Sequence, residues 1–132
     1  MDTDATEQGW PDRGGLLDPQ RVTPSDHAAD STREALKINA SRLYDEQLHV
    51  LLEKNVAYSP LNISMAPFGV MEGLVTRISD KYWRIVNLVE SPGEVRFESL
   101  EDSFGDLMNY AAISTLCLRG QWPGVARGGV RL

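Results

Sequence analysis

The sequence predicts an all-α fold, a small antiparallel bundle of three to four core helices with flexible termini. Three observations predict it. An apolar stripe recurs at three- and four-residue steps from Met71 to Val89, a second follows the break at Ser91-Pro92-Gly93, and the strongest strand-like alternation is the brief Glu94-Val95-Arg96-Phe97. At 132 residues the chain has room for one small domain, and 42% hydrophobic with 24% charged residues is a globular balance.

Residues 1–30 come first, with Gly14-Gly15, three prolines and scattered aspartates but no periodic apolar pattern. Such a segment cannot offset its ordering entropy, and a flexible acidic tail is expected. Residues 1–40 hold eight acids and four bases, a large share of the net charge of -6. A first core helix is expected from about Ser31 or Ser41 to Asn55, because Leu43, Leu48, Leu51 and Leu52 recur at helical intervals before Pro60 and Pro67. The second helix carries Met71, Leu74, Val75, Ile78, Tyr82, Ile85, Val86 and Val89 on one face, and Ser91-Pro92-Gly93 stops it. The third is expected from Glu98 to Arg119, with Leu100, Phe104, Leu107, Met108, Ala111 and Thr115 or Leu118 as its apolar side. Pro123-Gly124 and Gly128-Gly129 are turn signals without helical period, so residues 121–132 are expected to form a loose C-terminal extension beyond a helical domain at 31–120. A folded part this small gains from helix pairing between chains, and a homo-oligomer is expected.

Composition excludes several classes of function. No apolar run approaches the roughly 20 residues of a membrane span. The acidic start Met1-Asp2-Thr3-Asp4 is followed by no apolar segment, so a cytoplasmic location is expected. One cysteine, Cys117, makes no internal disulfide and reads as a small buried hydrophobe. The acidic balance argues against duplex nucleic acid as a partner and leaves a mononucleotide open.

The polar faces carry the functional signal. On the second helix Glu72, Thr76 and Asp80 lie four apart, and Arg77, Asp80, Arg84 and Asn87 continue the band. On the third, Glu98, Asp102 and Asp106 repeat every four residues, with Asn109 three further on. Unrelieved acids at this spacing destabilise an isolated helix by roughly 0.2–0.5 kcal/mol per pair. Three explanations stand: acids at a helix N-terminus favoured by its dipole, pairing with Arg77, Lys81 and Arg84, or oxygen ligation of Mg²⁺. Lys54 and Tyr58 end the first core helix, where a lysine either satisfies the last carbonyls or meets a ligand. Tyr82 and Trp83 read as core or as stacking platforms, while Trp10 and Trp122 fall in the tails.

Taken in order, Lys54-Asn55-x-x-Tyr58, Arg77-x-x-Asp80-Lys81-x-x-Arg84-x-x-Asn87-Leu88 and Glu98-x-x-x-Asp102-x-x-x-Asp106-x-x-Asn109-Tyr110 resemble the nucleotide modification associated domain 1 family of bacteriophage proteins, over about residues 44–118. That family is similar to the MazG-like all-α nucleoside triphosphate pyrophosphohydrolases, which cleave an NTP to NMP and pyrophosphate with Mg²⁺. The resemblance implies a phage nucleotide-metabolism protein in the host bacterial cytoplasm. Its acids depart from the usual pyrophosphohydrolase pattern of paired acids three apart: Glu72 and Asp80 are spaced by eight, Asp102 and Asp106 by four. By analogy Asp80, Asp102 and Asp106 would hold Mg²⁺, with Glu72 or Glu98 as general base on an attacking water. Lys54, Lys81 and Arg84 would face the phosphates, Arg77 would line the substrate site, and Tyr58, Asn87 and Asn109 would contact base or sugar. The alternative is a non-catalytic module binding a nucleotide or a protein, in which the acids pair with the arginines and no metal is needed.

Overall fold

A computed structural model describes residues 26–91, 93 and 99–132. Its elements are α1 (Asp26–Tyr58), α2 (Leu61–Ser64), α3 (Val70–Glu90), α4 (Leu100–Leu118), β1 (Val125–Ala126) and β2 (Val130–Arg131). By contacts the chain divides at Ala40, into residues 1–40 and residues 41–132. Of the first unit, residues 26–40 are helical and mostly exposed. The tail expected at 1–30 lies outside the described residues up to 25, and residues 26–30 are helix. The second unit is a small, mostly helical bundle. Among the described residues no helix is long and apolar enough to cross a membrane.

Each helix stops for a local reason. After Tyr58 the chain turns left-handed at Ser59 (φ 63°), whose N–H donates to Asn55 O at 3.0 Å, and Pro60 follows. The third helix begins at Gly69, whose φ of 121° suits glycine and whose missing Cβ leaves space for the Glu72 carboxylate folded over it. Ser99 caps α4 reciprocally: its hydroxyl accepts from Asp102 N at 2.9 Å, and its N–H donates to Asp102 Oδ2 at 3.4 Å. At the other end Gly120 (φ 69°) donates to Cys117 O at 3.0 Å while Gln121 donates to Leu116 O at 2.8 Å, a paired closure that uses up two orphan carbonyls.

Ile63, Val70, Leu74, Ile113, Cys117, Trp122 and Val125 form the core, with Leu51 and Tyr110 packed against it. Two of these seven come from beyond residue 120, which corrects the loose extension expected at 121–132. Val125 pairs with Arg131 and Ala126 with Val130 in a short antiparallel ladder. Trp122 Nε1 donates to Pro60 O at 3.1 Å, and the Arg131 guanidinium donates to Ser64 O at 2.7 Å and also to Ala66 O. Two buried apolar side chains and these tethers hold a segment whose composition reads as turns alone.

The α3 stripe is also rotated from its expected position. Val70, Leu74 and Leu88 are buried, and the same face continues through Arg77, three residues after Leu74, and Lys81, four after Arg77. Val75, Tyr82 and Val89 stay 61%, 54% and 59% exposed. On α4 the buried side runs through Ser103, Gly105, Asn109, Ile113 and Cys117, while Phe104 and Leu118 face outward. Gly105 lets the Gln47 side chain of α1 approach α4 closely.

Candidate functional site

Turning α3 this way carries two cations inward. Arg77 and Lys81 open into a cleft of about 350 Å³ in the second unit, which Lys54 enters from α1, four residues before its end, and Asp106 from the second turn of α4. Pro60 breaks the chain beside it, and Trp122, Tyr110 and Tyr58 supply aromatic surface. Such a volume suits a small ligand.

The cleft is organised around one carboxylate. Lys54 Nζ lies 2.5 Å from Asp106 Oδ1, and Lys81 Nζ lies 2.8 Å from Asp106 Oδ2. Three helices thus meet on a single ion group. The Lys81 and Asp106 side chains are 16% and 17% exposed, whereas that of Lys54 is 49% exposed. Burial pushes the Asp106 carboxyl upward, but hydrogen bonds and charge from Lys54 and Lys81 outweigh it and hold the group below its ordinary value. Asp106 is therefore ionised at neutral pH. Arg77 Nη2 reaches Asn62 O at 3.5 Å, the outer limit of a hydrogen bond, and is not held against a carboxylate there. Among the described residues of the lining, Lys54, Arg77 and Lys81 are cationic and Asp106 is anionic, in a protein of net charge -6.

Other polar groups complete the wall. Asn109 Nδ2 donates to Gln47 O at 3.2 Å and to Gln47 Oε1 at 3.4 Å, tying α4 to α1. Asn55 Oδ1 is buried in the same wall with no hydrogen-bond partner, an acceptor that a polar interior ordinarily satisfies.

Of the residues that the sequence offered for substrate binding, Lys54, Tyr58, Arg77, Lys81 and Asn109 line this cleft, while Arg84 and Asn87 do not. The carboxylates assigned to catalysis and metal part company. Glu72 covers Gly69 in the first turn of α3, Asp102 closes the cap of α4, Asp80 is exposed and outside the cleft, and Glu98 lies outside the described residues. Among the described residues no three His, Cys, Asp or Glu side chains gather so as to hold a metal ion. Asp102 is engaged at the start of its own helix, and both Asp106 oxygens face ammonium groups. Residues four apart drift by about 40° around a helix at each step, so an acidic row even in sequence spreads over different surroundings in space.

Comparison with known proteins adds no family to this geometry. No family model, curated protein or solved structure matches the chain. Trp122, Tyr110 and Asn62 are cleft residues that sequence reasoning missed. A tryptophan among glycines and prolines carries no periodic signal, and its place follows from the tether to Pro60 O. Arg77 and Lys81 did leave one, since both stand on the stripe of Val70, Leu74 and Leu88.

Proposed function

We propose that the protein is a nucleotide-binding module whose cleft takes the phosphate groups of a nucleotide on Lys54, Arg77 and Lys81. The observation that carries this reading is the convergence of those three cations from two helices on one cleft with aromatic walls. Phosphate oxygens match the guanidinium fork of Arg77 and the point charges of the lysines. Tyr58, largely exposed at the rim, offers a flat surface to a base, and Asn109 offers a polar edge. The resemblance to nucleotide modification associated domains points to the same ligand. Binding needs neither a general base nor a metal, and so asks nothing of Glu72, Asp80 or Asp102. Hydrolysis would need both.

Isothermal titration of the protein with nucleoside mono-, di- and triphosphates, with and without Mg²⁺, tests the reading. The expected result is metal-independent affinity that falls with added salt and drops about ten-fold in Arg77→Ala, the scale of one charge-assisted hydrogen bond. A folded protein with no affinity for any of these ligands overturns it. Pyrophosphate release in the presence of Mg²⁺ would replace it with the pyrophosphohydrolase reading.

A further inference from the structure

The acid in the cleft faces two ammonium groups at once. Asp106 presents one oxygen to Lys54 and the other to Lys81, at 2.5 Å and 2.8 Å, within the cleft itself. Its carboxylate stands where an incoming anion would have to stand to use both lysines. Lys81 is largely buried on α3, and Lys54 comes from another helix with a side chain that is half exposed.

We infer that Asp106 is a resident counter-ion, a positioning residue that keeps Lys54 and Lys81 together in the free protein and yields them to a ligand bearing adjacent anionic groups. This rests on the nucleotide reading above and deepens it: the ligand class becomes a di- or triphosphate, which brings enough oxygens to replace a carboxylate on two ammonium groups and still reach Arg77. A carboxylate beside a bound polyphosphate is repulsive. The free protein is thus held in order at the expense of affinity, and removing the charge of Asp106 while keeping its shape should tighten binding.

The test is isothermal titration of the full chain with inorganic pyrophosphate and with dATP, comparing wild type, Asp106→Asn and, as a control, Asp102→Asn. Asp106→Asn is expected to bind pyrophosphate about ten-fold more tightly without metal, the scale of removing one unit charge roughly 5 Å from a phosphate in a partly hydrated site. Asp102→Asn is expected to match wild type. Unchanged or weaker binding by Asp106→Asn overturns the counter-ion role, as does wild-type binding that requires Mg²⁺ and is lost in that variant, which would make Asp106 a cation ligand. A wild-type chain that binds neither probe overturns the nucleotide reading itself. Should Asp106→Asn fail to fold, the ¹³Cγ resonance of Asp106 in the wild type decides: it moves on saturation with pyrophosphate if the lysines are surrendered, and an unmoved resonance overturns the inference.

Discussion

Asp102 and Asp106 stand one turn apart on α4, carry the same side chain, and belong to different parts of the molecule's chemistry. The first turn of α4 looks to its own backbone, with Asp102 and Ser99 exchanging hydrogen bonds at the helix start. The next turn looks outward to two other helices, with Asp106 between Lys54 and Lys81. A carboxylate near a helix N-terminus stabilises the helix whatever lies opposite, whereas one further along is useful only through what it meets. The same residue type at a regular interval is thus evidence of a face, and the partner decides the function.

The contrast can be broken most sharply at Asp106. Asp106→Ala leaves the largely buried Lys81 without this carboxylate and is expected to cost about 3 kcal/mol in urea denaturation at pH 7, the low end of the range for one-sided loss of a buried pair. A loss below about 1 kcal/mol would make the group an ordinary surface contact. Its pH dependence is the next largest effect. The folded carboxyl lies below its ordinary value of 3.8, so its contribution is complete above about pH 4 and is lost as pH falls through the lower folded value. The stability gap between wild type and Asp106→Asn should accordingly be constant from pH 5 to 7 and close in acid, and a gap that instead closes on raising the pH would contradict the assignment.

At Asp102 the effect should be smaller and independent of ligand. Asp102→Ala removes one arm of the cap and is expected to cost about 1 kcal/mol, with pyrophosphate affinity unchanged. The smallest change lies between the two turns. A Cβ at Gly105 meets the Gln47 side-chain amide at 2.8 Å, a movable group, while alanine gains helix propensity. Gly105→Ala should therefore alter stability by no more than about 0.5 kcal/mol, with the Gln47 side-chain amide resonances shifted as it gives way to the new methyl.

How much was legible in the sequence follows from the same contrast. The helices were readable because their apolar residues recur with the helical period and because proline and glycine mark the stops at Ser59-Pro60 and Ser91-Pro92-Gly93. Which face each helix buries was less so: α3 turns Arg77 and Lys81 inward and leaves Val75, Tyr82 and Val89 in solvent, a choice made by packing against α2 and α4. Burying Trp122 and Val125 depends on contacts about sixty residues away in the chain, which no local pattern encodes. For the site, the ordered pattern that carries the family resemblance names Lys54, Tyr58, Arg77, Lys81 and Asn109, and these five line one cleft. Asp102 also stands in Ser99-x-x-Asp102, a cap signature in its own right, and the structure shows that cap formed.

Cys117 has a consequence of a different kind. Its thiol has no exposed surface in the middle of the core, and burial raises its pKa, so in the folded chain it is shielded from reagents twice over. Labelling by a maleimide or disulfide reagent must wait for the core to open, and the chain has no second thiol to confuse the signal. The protein thus contains its own stopwatch: the labelling rate reports how often α4 and the C-terminal hairpin part.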